Sequence, residues 1–178
     1  MVLICLILNF TLSLNLQHIR DSTTRMLVNT LAGLFMSFYC YGFEVLLYIP
    51  YSLIGYFAMH FAPRDKVHTV TILITGLILT VTNLFEQLID TVTLNVSTIA
   101  MMTFVKQMMI TCNYSDGQFR KNFEKDRSKL TEREYRYSLA EIPSFLEYCS
   151  YFFNLQSSVI GPSFEFGDWI RFIKLEGE

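Results

Sequence analysis

Charged residues are scarce in this sequence, which has 178 residues and only 17% Asp, Glu, Lys and Arg. Ordinary soluble domains contain about 25%. Hydrophobic residues make up 52% of the chain and include 16 phenylalanines. Because so few charges cannot cover the surface of a soluble domain of this length, the composition indicates that lipid is the natural solvent. The net charge of −2 shows no basic excess, so we expect no nucleic-acid partner.

Clustered metal ligands and common catalytic signatures are also missing from the sequence. Its four cysteines are far apart and form no C-x-x-C motif, so neither a disulfide framework nor a zinc site is predicted. There is no H-E-x-x-H, G-x-S-x-G, P-loop or G-x-G-x-x-G motif. The three histidines, His18, His60 and His68, lie at or near polar turns and helix ends, so we expect them to be solvated or interfacial. No catalytic and no metal-binding residue is predicted.

Long apolar runs account for most of the chain. A helix needs about 20 apolar residues to cross a bilayer. The run at 26–63 contains one charge, Glu44, and is long enough for two helices, with a break predicted near Gly42. With that run counted twice, about five to six membrane segments are predicted, at residues 1–16, 26–63, 67–85, 91–112 and 142–160.

The charges that the chain has are concentrated in one region. Residues 116–141 hold 13 of the 30 charged residues, so residues 113–141 are predicted to form a charged loop or surface helix. Thr131 and Glu134 have the spacing of a capping box, which predicts a helix that starts there and runs toward residue 140. Pro143 suits the first turn of the next helix.

The last part of the chain mixes aromatic, polar and charged residues. The segment at 142–160 is less apolar than a lipid-facing helix and is predicted to pack inside the bundle, ending at Gly161-Pro162. Trp169, Phe172 and Ile173 then share one helical face, a pattern typical of a short interfacial helix. The predicted fold is an all-α, polytopic transmembrane bundle with this short helix added. Its parts are N-terminal helices at 1–112, the charged loop at 113–141 and a membrane segment with the interfacial helix at 142–178.

Positive charge is unevenly distributed between the predicted loops. The turns at 17–25 and 63–66 and the loop at 113–141 together hold 11 of the 14 Lys and Arg residues. With five spans before the long loop, these three regions fall on the same side. Because loops rich in Lys and Arg stay in the cytoplasm, this side is predicted to be cytoplasmic.

Four charged side chains lie within or beside the predicted membrane segments: Glu86, Asp90, Lys106 and Glu147. Such groups are costly in lipid and should face the bundle interior or a water-filled cavity. Each also has a simpler explanation. Glu86 and Asp90 lie at the end of a span, Lys106 is close enough to the cytoplasmic end to extend into water, and Glu147 could form a structural hydrogen bond.

Short motifs in the last third of the chain follow a distinctive order. The Asp116-Gly117 pair precedes the charged loop, and Pro-Ser-Phe-Leu-Glu follows it at 143–147. An aromatic run at 151–153 leads to the Gly-Pro-Ser-Phe motif at 161–164. In this order the motifs resemble the membrane-bound O-acyltransferase family, and most closely its lysophospholipid acyltransferase branch. The resemblance is strongest over residues 104–175.

This resemblance implies a polytopic, all-helical protein of the endoplasmic reticulum that transfers a fatty acyl group from acyl-CoA to a lysophospholipid hydroxyl. Acyl-CoA would be a co-substrate, with no bound cofactor, and the partners would be membrane lipids. The family's catalytic histidine lies beyond the Gly-Pro segment, and no residue of this chain matches it. The chain therefore resembles the N-terminal part of such an enzyme, cut off before the active site, and is expected to be inactive alone.

What such a part could supply is the wall of a substrate chamber. A Gly-Pro break places irregular backbone at membrane depth, which is tolerated where the backbone lines a cavity or is buried in protein. A helix end packed in the bundle is an equally good explanation for each of these positions. The substrate-channel candidates are Glu147, Tyr151, Gly161, Pro162 and Phe164.

Two other classes of function are compatible with the sequence. A non-catalytic membrane scaffold would keep the first part of the fold without its chemistry. A transporter or channel module would explain the charges at membrane depth, but transporters usually contain paired repeats, and no repeat is found here.

Overall fold

Every regular element that the structure describes is helical, which confirms the all-α prediction. The structure is a computed structural model, and it describes residues 10–11, 15–16, 18–19, 21–89, 96–122, 131–154 and 163–174. The helices are α1 (Ser22–Tyr41), α2 (Val45–Phe61), α3 (Val67–Ile89), α4 (Val96–Asp116), α5 (Glu132–Tyr137), α6 (Phe145–Phe152) and α7 (Phe166–Lys174). Short 3₁₀ turns occupy Gly42–Glu44 and Gly117–Asn122.

Local signals in the sequence set both ends of α1. The Asp21 carboxylate accepts a hydrogen bond of 2.7 Å from the Thr24 backbone N–H, which caps the first turn. Gly42 follows the last turn with a φ of 61°, a conformation that L side chains rarely adopt. The break that the sequence predicts near Gly42 is confirmed, because the 3₁₀ turn separates α1 from α2.

Two helical stretches among the described residues are long and apolar enough to cross a membrane. They are Ser22–Phe61 and Val67–Phe85. Only 33% and 17% of their most apolar windows are buried within the protein, so large apolar side chains such as Leu73 and Leu77 stay exposed. Exposed apolar surface of this extent is typical of a membrane-associated protein. The larger number of five to six segments stays a prediction.

The chain divides into two units. Unit 1 comprises Met1–Val45, Pro143–Phe164 and Asp168–Glu178. Within it, α6 presents Tyr148, Tyr151 and Phe152 as fully buried side chains, at the spacing of one helical face. The α1 helix approaches the end of α6 very closely. A Cβ atom on Gly33 would overlap the carbonyl oxygen of Phe153, so only glycine fits there.

Unit 2 comprises Leu46–Ile142 and Glu165–Gly167, and its main contact is between α3 and α4. Val67 and Ile110 are fully buried in this unit. The α5 helix begins with the predicted capping box. The Thr131 side chain accepts from the Glu134 backbone N–H, and the Glu134 carboxylate accepts from the Thr131 backbone N–H. The helix ends at Tyr137, three residues before the end that the sequence suggests.

One prediction about the C-terminal helices needs correction, and two stay open. Pro143 does not lie in the first turn of α6, because Ser144 is the N-cap and Pro143 precedes it. The helix ends at Phe152, and its eight residues rise about 12 Å. Because residues 155–162 lie outside the described part of the chain, the membrane segment at 142–160 stays a prediction. In α7, Trp169 and Ile173 are buried in the protein and Phe172 is exposed. The interfacial position of this helix stays a prediction.

Lys106 also departs from the simpler of its two predictions. Its side chain does not extend toward water, since only 1% of the residue is exposed. The alternative prediction, that this charge faces the interior, is the one that the structure supports. The side chains of Glu86 and Asp90 lie outside the described part of the chain.

The close approach of α1 to α6 gives a test of unit 1. We expect Gly33→Ala to lower the free energy of unfolding by about 1–3 kcal/mol, because the added methyl group meets rigid backbone. Gly76→Ala is the matched control. Its new Cβ would lie 3.7 Å from the Phe104 ring, an ordinary contact, and alanine is the better helix former. Urea titration in detergent micelles measures the free energy of unfolding of both variants. Equal stability of the two would refute the close contact between α1 and α6.

Candidate functional site

Three pairs of groups join α6 to α7 and the residues before it in unit 1. They are Glu147 with Lys174, Ser150 with Trp169, and Tyr151 with the backbone of Phe164. Three of the five predicted channel residues therefore lie in one structural region. Gly161 and Pro162 lie outside the described residues, so their prediction stays untested.

Both oxygens of the Glu147 carboxylate have partners. Oε2 accepts hydrogen bonds from the Ser144 backbone N–H at 3.0 Å and from its hydroxyl at 2.9 Å. Oε1 lies 3.0 Å from the Lys174 ammonium. The first pair completes a capping box that fixes the start of α6, and the second joins α6 to the last turn of α7. Glu147 thus forms the structural hydrogen bonds that the sequence offers as one alternative.

Tyr151 is fully buried, and its hydroxyl group is satisfied by the backbone. It donates a hydrogen bond of 2.9 Å to the carbonyl oxygen of Phe164. The hydroxyl of the preceding residue, Ser150, accepts a hydrogen bond of 3.2 Å from the Trp169 indole N–H. The Phe164 ring stacks on Trp169 with ring centroids 5.8 Å apart. The result is an aromatic wall, made of Tyr151, Phe164 and Trp169, whose polar atoms point to protein partners.

Arg25 is a residue of this region that the sequence analysis missed. It is 2% exposed, and it donates hydrogen bonds from Nε and Nη2 to the carbonyl oxygen of Ile19 and from Nη1 to that of Ile173. Ile173 lies in the last turn of α7, where carbonyl groups have no partner within the helix. Arg25 thus connects the start of α1 to the end of α7. The prediction placed Arg25 in the turn at 17–25, and nothing in that pattern indicated that its side chain is buried.

A second group of polar residues surrounds the Asp116-Gly117 pair in unit 2. Arg64 donates a hydrogen bond of 2.9 Å from Nε to the carbonyl oxygen of Tyr114 and another from Nη2 to that of Leu139. Its guanidinium also lies 4.5 Å from the centre of the Tyr114 ring. A Cβ atom on Gly117 would overlap both the Leu139 carbonyl oxygen and Arg64. Close backbone approach therefore explains why glycine follows the aspartate in this pair.

Buried polar contacts continue from this group to the residues at the start of α7. The Asn113 side-chain amide donates to the Glu165 carboxylate at 3.0 Å, and Leu139 N–H donates to the Asn113 carbonyl oxygen at 2.8 Å. Arg133 lies 3.4 Å from the same carboxylate, but its side chain is 78% exposed. Among the described residues, no group of three or more His, Cys, Asp and Glu side chains could hold a metal ion.

Asp116 is an acidic residue beside Gly117, and the pKa of its carboxyl group is raised above its ordinary value of 3.8. Burial is the main cause, and the negative charge of Glu134 adds to it, while His68 acts in the opposite direction. A carboxyl whose pKa is raised in the folded state stabilises the fold below its ordinary pKa. That contribution is lost as the pH rises through the raised value.

We therefore expect Asp116→Asn to become more stable relative to the unmodified chain as the pH rises from 4 to 7. Asparagine keeps the shape of the side chain without the charge. Thermal unfolding of both chains in micelles across this range measures the difference. A difference that stays constant with pH would show that Asp116 titrates with its ordinary pKa.

Comparisons with known proteins give one group of relatives. The chain is 30% identical over 157 residues to membrane-bound glycerophospholipid O-acyltransferase 2 of Rattus norvegicus, a match that covers 86% of this chain and 29% of that protein. The protein of the same name from Homo sapiens is 29% identical over 157 residues, which are again 86% of this chain and 29% of that protein. Membrane-bound glycerophospholipid O-acyltransferase 1 of Homo sapiens is 26% identical over 164 residues, which are 88% of this chain and 32% of that protein.

No family model and no solved structure matches the chain. The chain spans about three-tenths of the length of the curated relatives it matches. These matches confirm the resemblance to the membrane-bound O-acyltransferases that the order of motifs predicts.

Proposed function

We propose that the chain forms the N-terminal part of a membrane-bound enzyme that transfers a fatty acyl group from acyl-CoA to the hydroxyl of a lysophospholipid. The main support is the similarity to glycerophospholipid O-acyltransferases over 84–88% of the chain. The ordered motifs from Asp116-Gly117 to Gly161-Pro162 lie in the part with the strongest resemblance. The activity would belong to phospholipid remodelling.

The proposed setting is the membrane of the endoplasmic reticulum. Five to six segments would cross or enter the bilayer, and residues 113–141 would face the cytoplasm. The two apolar helical stretches and the exposed leucines of α3 support membrane insertion. The excess of Lys and Arg in residues 113–141 supports the orientation.

In this proposal the chain builds part of a substrate chamber and does not supply the base. Attack on a thioester needs a general base within hydrogen-bond reach of the attacking hydroxyl. His18 and His60 are exposed, His68 is partly buried, and none of the three matches the catalytic histidine of the family. We therefore expect the chain alone to transfer no acyl group.

The proposed wall consists of Glu147, Tyr151, Gly161, Pro162 and Phe164. Three contacts support a rigid wall at this position. The Glu147 carboxylate is held by Ser144 and Lys174, the Tyr151 hydroxyl by the Phe164 carbonyl, and the Phe164 ring by Trp169. Side chains fixed in this way keep one shape, which suits a surface that positions an acyl chain.

A non-catalytic scaffold is the second candidate, and one observation favours it. The polar atoms of Glu147 and Tyr151 are bound to the protein itself, as in a purely structural contact. The two candidates differ in one respect that can be measured. A chamber wall contacts lysophospholipid, whereas a scaffold has no selectivity for it.

Photocrosslinking tests the proposal. The chain is reconstituted in phosphatidylcholine vesicles with a lysophosphatidylcholine that carries a diazirine in its acyl chain, and labelled peptides are mapped by mass spectrometry. We expect labelling of the Tyr151–Phe164 region that excess lysophosphatidylcholine suppresses and excess diacyl phosphatidylcholine does not. Phe164→Ala should reduce this labelling several-fold, because it removes the ring that packs on Trp169.

Phe35→Ala is the matched control, since Phe35 is the same residue type in α1 of the same unit and is 69% exposed. It should leave the labelling of the Tyr151–Phe164 region unchanged. Labelling that is equally suppressed by both lipids would contradict the chamber and favour the scaffold. Formation of phospholipid from acyl-CoA by the isolated chain would refute the expectation that it is inactive alone.

A further inference from the structure

Polar side chains follow the contact between α3 and α4 inside unit 2. His68, Thr71 and Thr75 recur at intervals of three and four residues, so they share one face of α3. Thr71 and Thr75 are fully buried, as are Gln107 and Thr111 on α4. Such groups are unusual inside an otherwise apolar pair of helices, since each needs a hydrogen-bond partner away from water.

Most of these groups are satisfied by the protein. The Thr75 hydroxyl donates to the Thr71 carbonyl oxygen at 2.6 Å, and the Thr111 hydroxyl donates to that of Gln107 at 2.7 Å. The Tyr51 hydroxyl donates to the Thr75 carbonyl oxygen at 3.0 Å, and Gln107 Nε2 donates to the Tyr51 carbonyl oxygen. Tyr51 of α2 is thereby fixed against both helices.

Three buried side-chain atoms of α3 and α4 have no hydrogen-bond partner in the described part of the chain. They are His68 Nδ1, Thr71 Oγ1 and Gln107 Oε1. The side-chain oxygen of Gln107 can only accept a hydrogen bond, whereas the hydroxyl of Thr71 can also donate one. The free energy cost of leaving such atoms unpaired is high, so their presence together requires an explanation.

Thr71 and Gln107 lie at nearly the same level of the contact. Arg64, three residues before α3, donates to the carbonyl oxygen of Tyr114, two residues before the end of α4, so the two helices are antiparallel. The Phe104 ring lies against Gly76. Thr71 lies five residues before Gly76, which is about 7.5 Å toward the start of α3. Gln107 lies three residues after Phe104, which is about 4.5 Å toward the end of α4. Both displacements point the same way, so the levels differ by about 3 Å.

We propose that Thr71 and Gln107 form a binding site for a hydroxyl group, with His68 beside it. The hydroxyl would donate a hydrogen bond to Gln107 Oε1 and accept one from Thr71 Oγ1. One hydroxyl group can do both at once, which neither a carbonyl nor an ammonium group can. Its source is either a buried water molecule or a lipid with a free hydroxyl, such as a lysophospholipid. The site does not depend on the proposed acyltransferase function, because its test measures stability.

Thr71→Val tests whether the site is occupied. Valine has the shape of threonine without the hydroxyl. If a hydroxyl is bound, the variant loses a hydrogen bond, and we expect its unfolding equilibrium constant to rise roughly fivefold. If nothing is bound, removing an unpaired buried hydroxyl leaves stability unchanged or raises it, and the proposal is overturned. Thr75→Val is the matched control, because the Thr75 hydroxyl is satisfied within its own helix. Urea unfolding is followed in micelles of a detergent without hydroxyl groups.

Adding lysophosphatidylcholine to the same micelles identifies the source of the hydroxyl. A lipid source predicts that the added lipid stabilises the unmodified chain and not Thr71→Val, and that an analogue with a methylated hydroxyl has no effect. A water source predicts the same loss in Thr71→Val with or without the lipid. Both results support the site.

A second pair of variants decides the question if Thr71→Val does not fold. Thr71→Ser and Thr71→Ala both lack the methyl group and differ in the hydroxyl. The stability difference between Thr75→Ser and Thr75→Ala measures the effect of the higher helix propensity of alanine, and it is subtracted from the difference at Thr71. After that correction we expect Thr71→Ser to be the more stable of the two. Equal stability, or greater stability of Thr71→Ala, would overturn the proposal.

Discussion

Backbone carbonyls away from water need hydrogen-bond donors, and two arginines supply them in this chain. In unit 1, Arg25 donates to the carbonyl oxygens of Ile19 and Ile173, which joins the segment before α1 to the last turn of α7. In unit 2, Arg64 donates to the Leu139 carbonyl oxygen, beside Gly117. A guanidinium suits this task because it stays charged and offers five N–H groups in a fixed plane. In both units, an arginine in one part of the chain holds the backbone of a distant part in place.

The side chains of the proposed chamber wall obey the same rule. The carboxylate of Glu147 and the hydroxyl of Tyr151 are bound to protein groups, so these side chains are fixed and their polar atoms already have partners. Fixed side chains of this kind are what the proposed chamber wall requires. The contact between α3 and α4 is different, because Thr71 and Gln107 keep buried polar atoms without a partner. These atoms carry the proposed hydroxyl site of unit 2.

Local features were predictable from the sequence, and distant contacts were not. The break at Gly42 and the capping box at Thr131 depend on residues within one turn, so their signals are adjacent in sequence. Of the five predicted wall residues, the structure brings the three described ones together, and the aromatic and Gly-Pro motifs were the signal for them. Arg25 was missed because its partner Ile173 is 148 residues away. Lys106 differs from its simpler prediction for a similar reason, since packing against other helices decides which side chains are buried.

The most direct test of this account is the stability of Arg25→Lys. Lysine keeps the positive charge but cannot reproduce the three N–H bonds of the guanidinium to Ile19 and Ile173. We expect the free energy of unfolding in micelles to fall by about 3 kcal/mol. The control Arg133→Lys changes an arginine whose side chain is 78% exposed, and it should alter stability by less than about 0.5 kcal/mol. If Arg25→Lys were as stable as Arg133→Lys, the buried guanidinium would not hold unit 1 together.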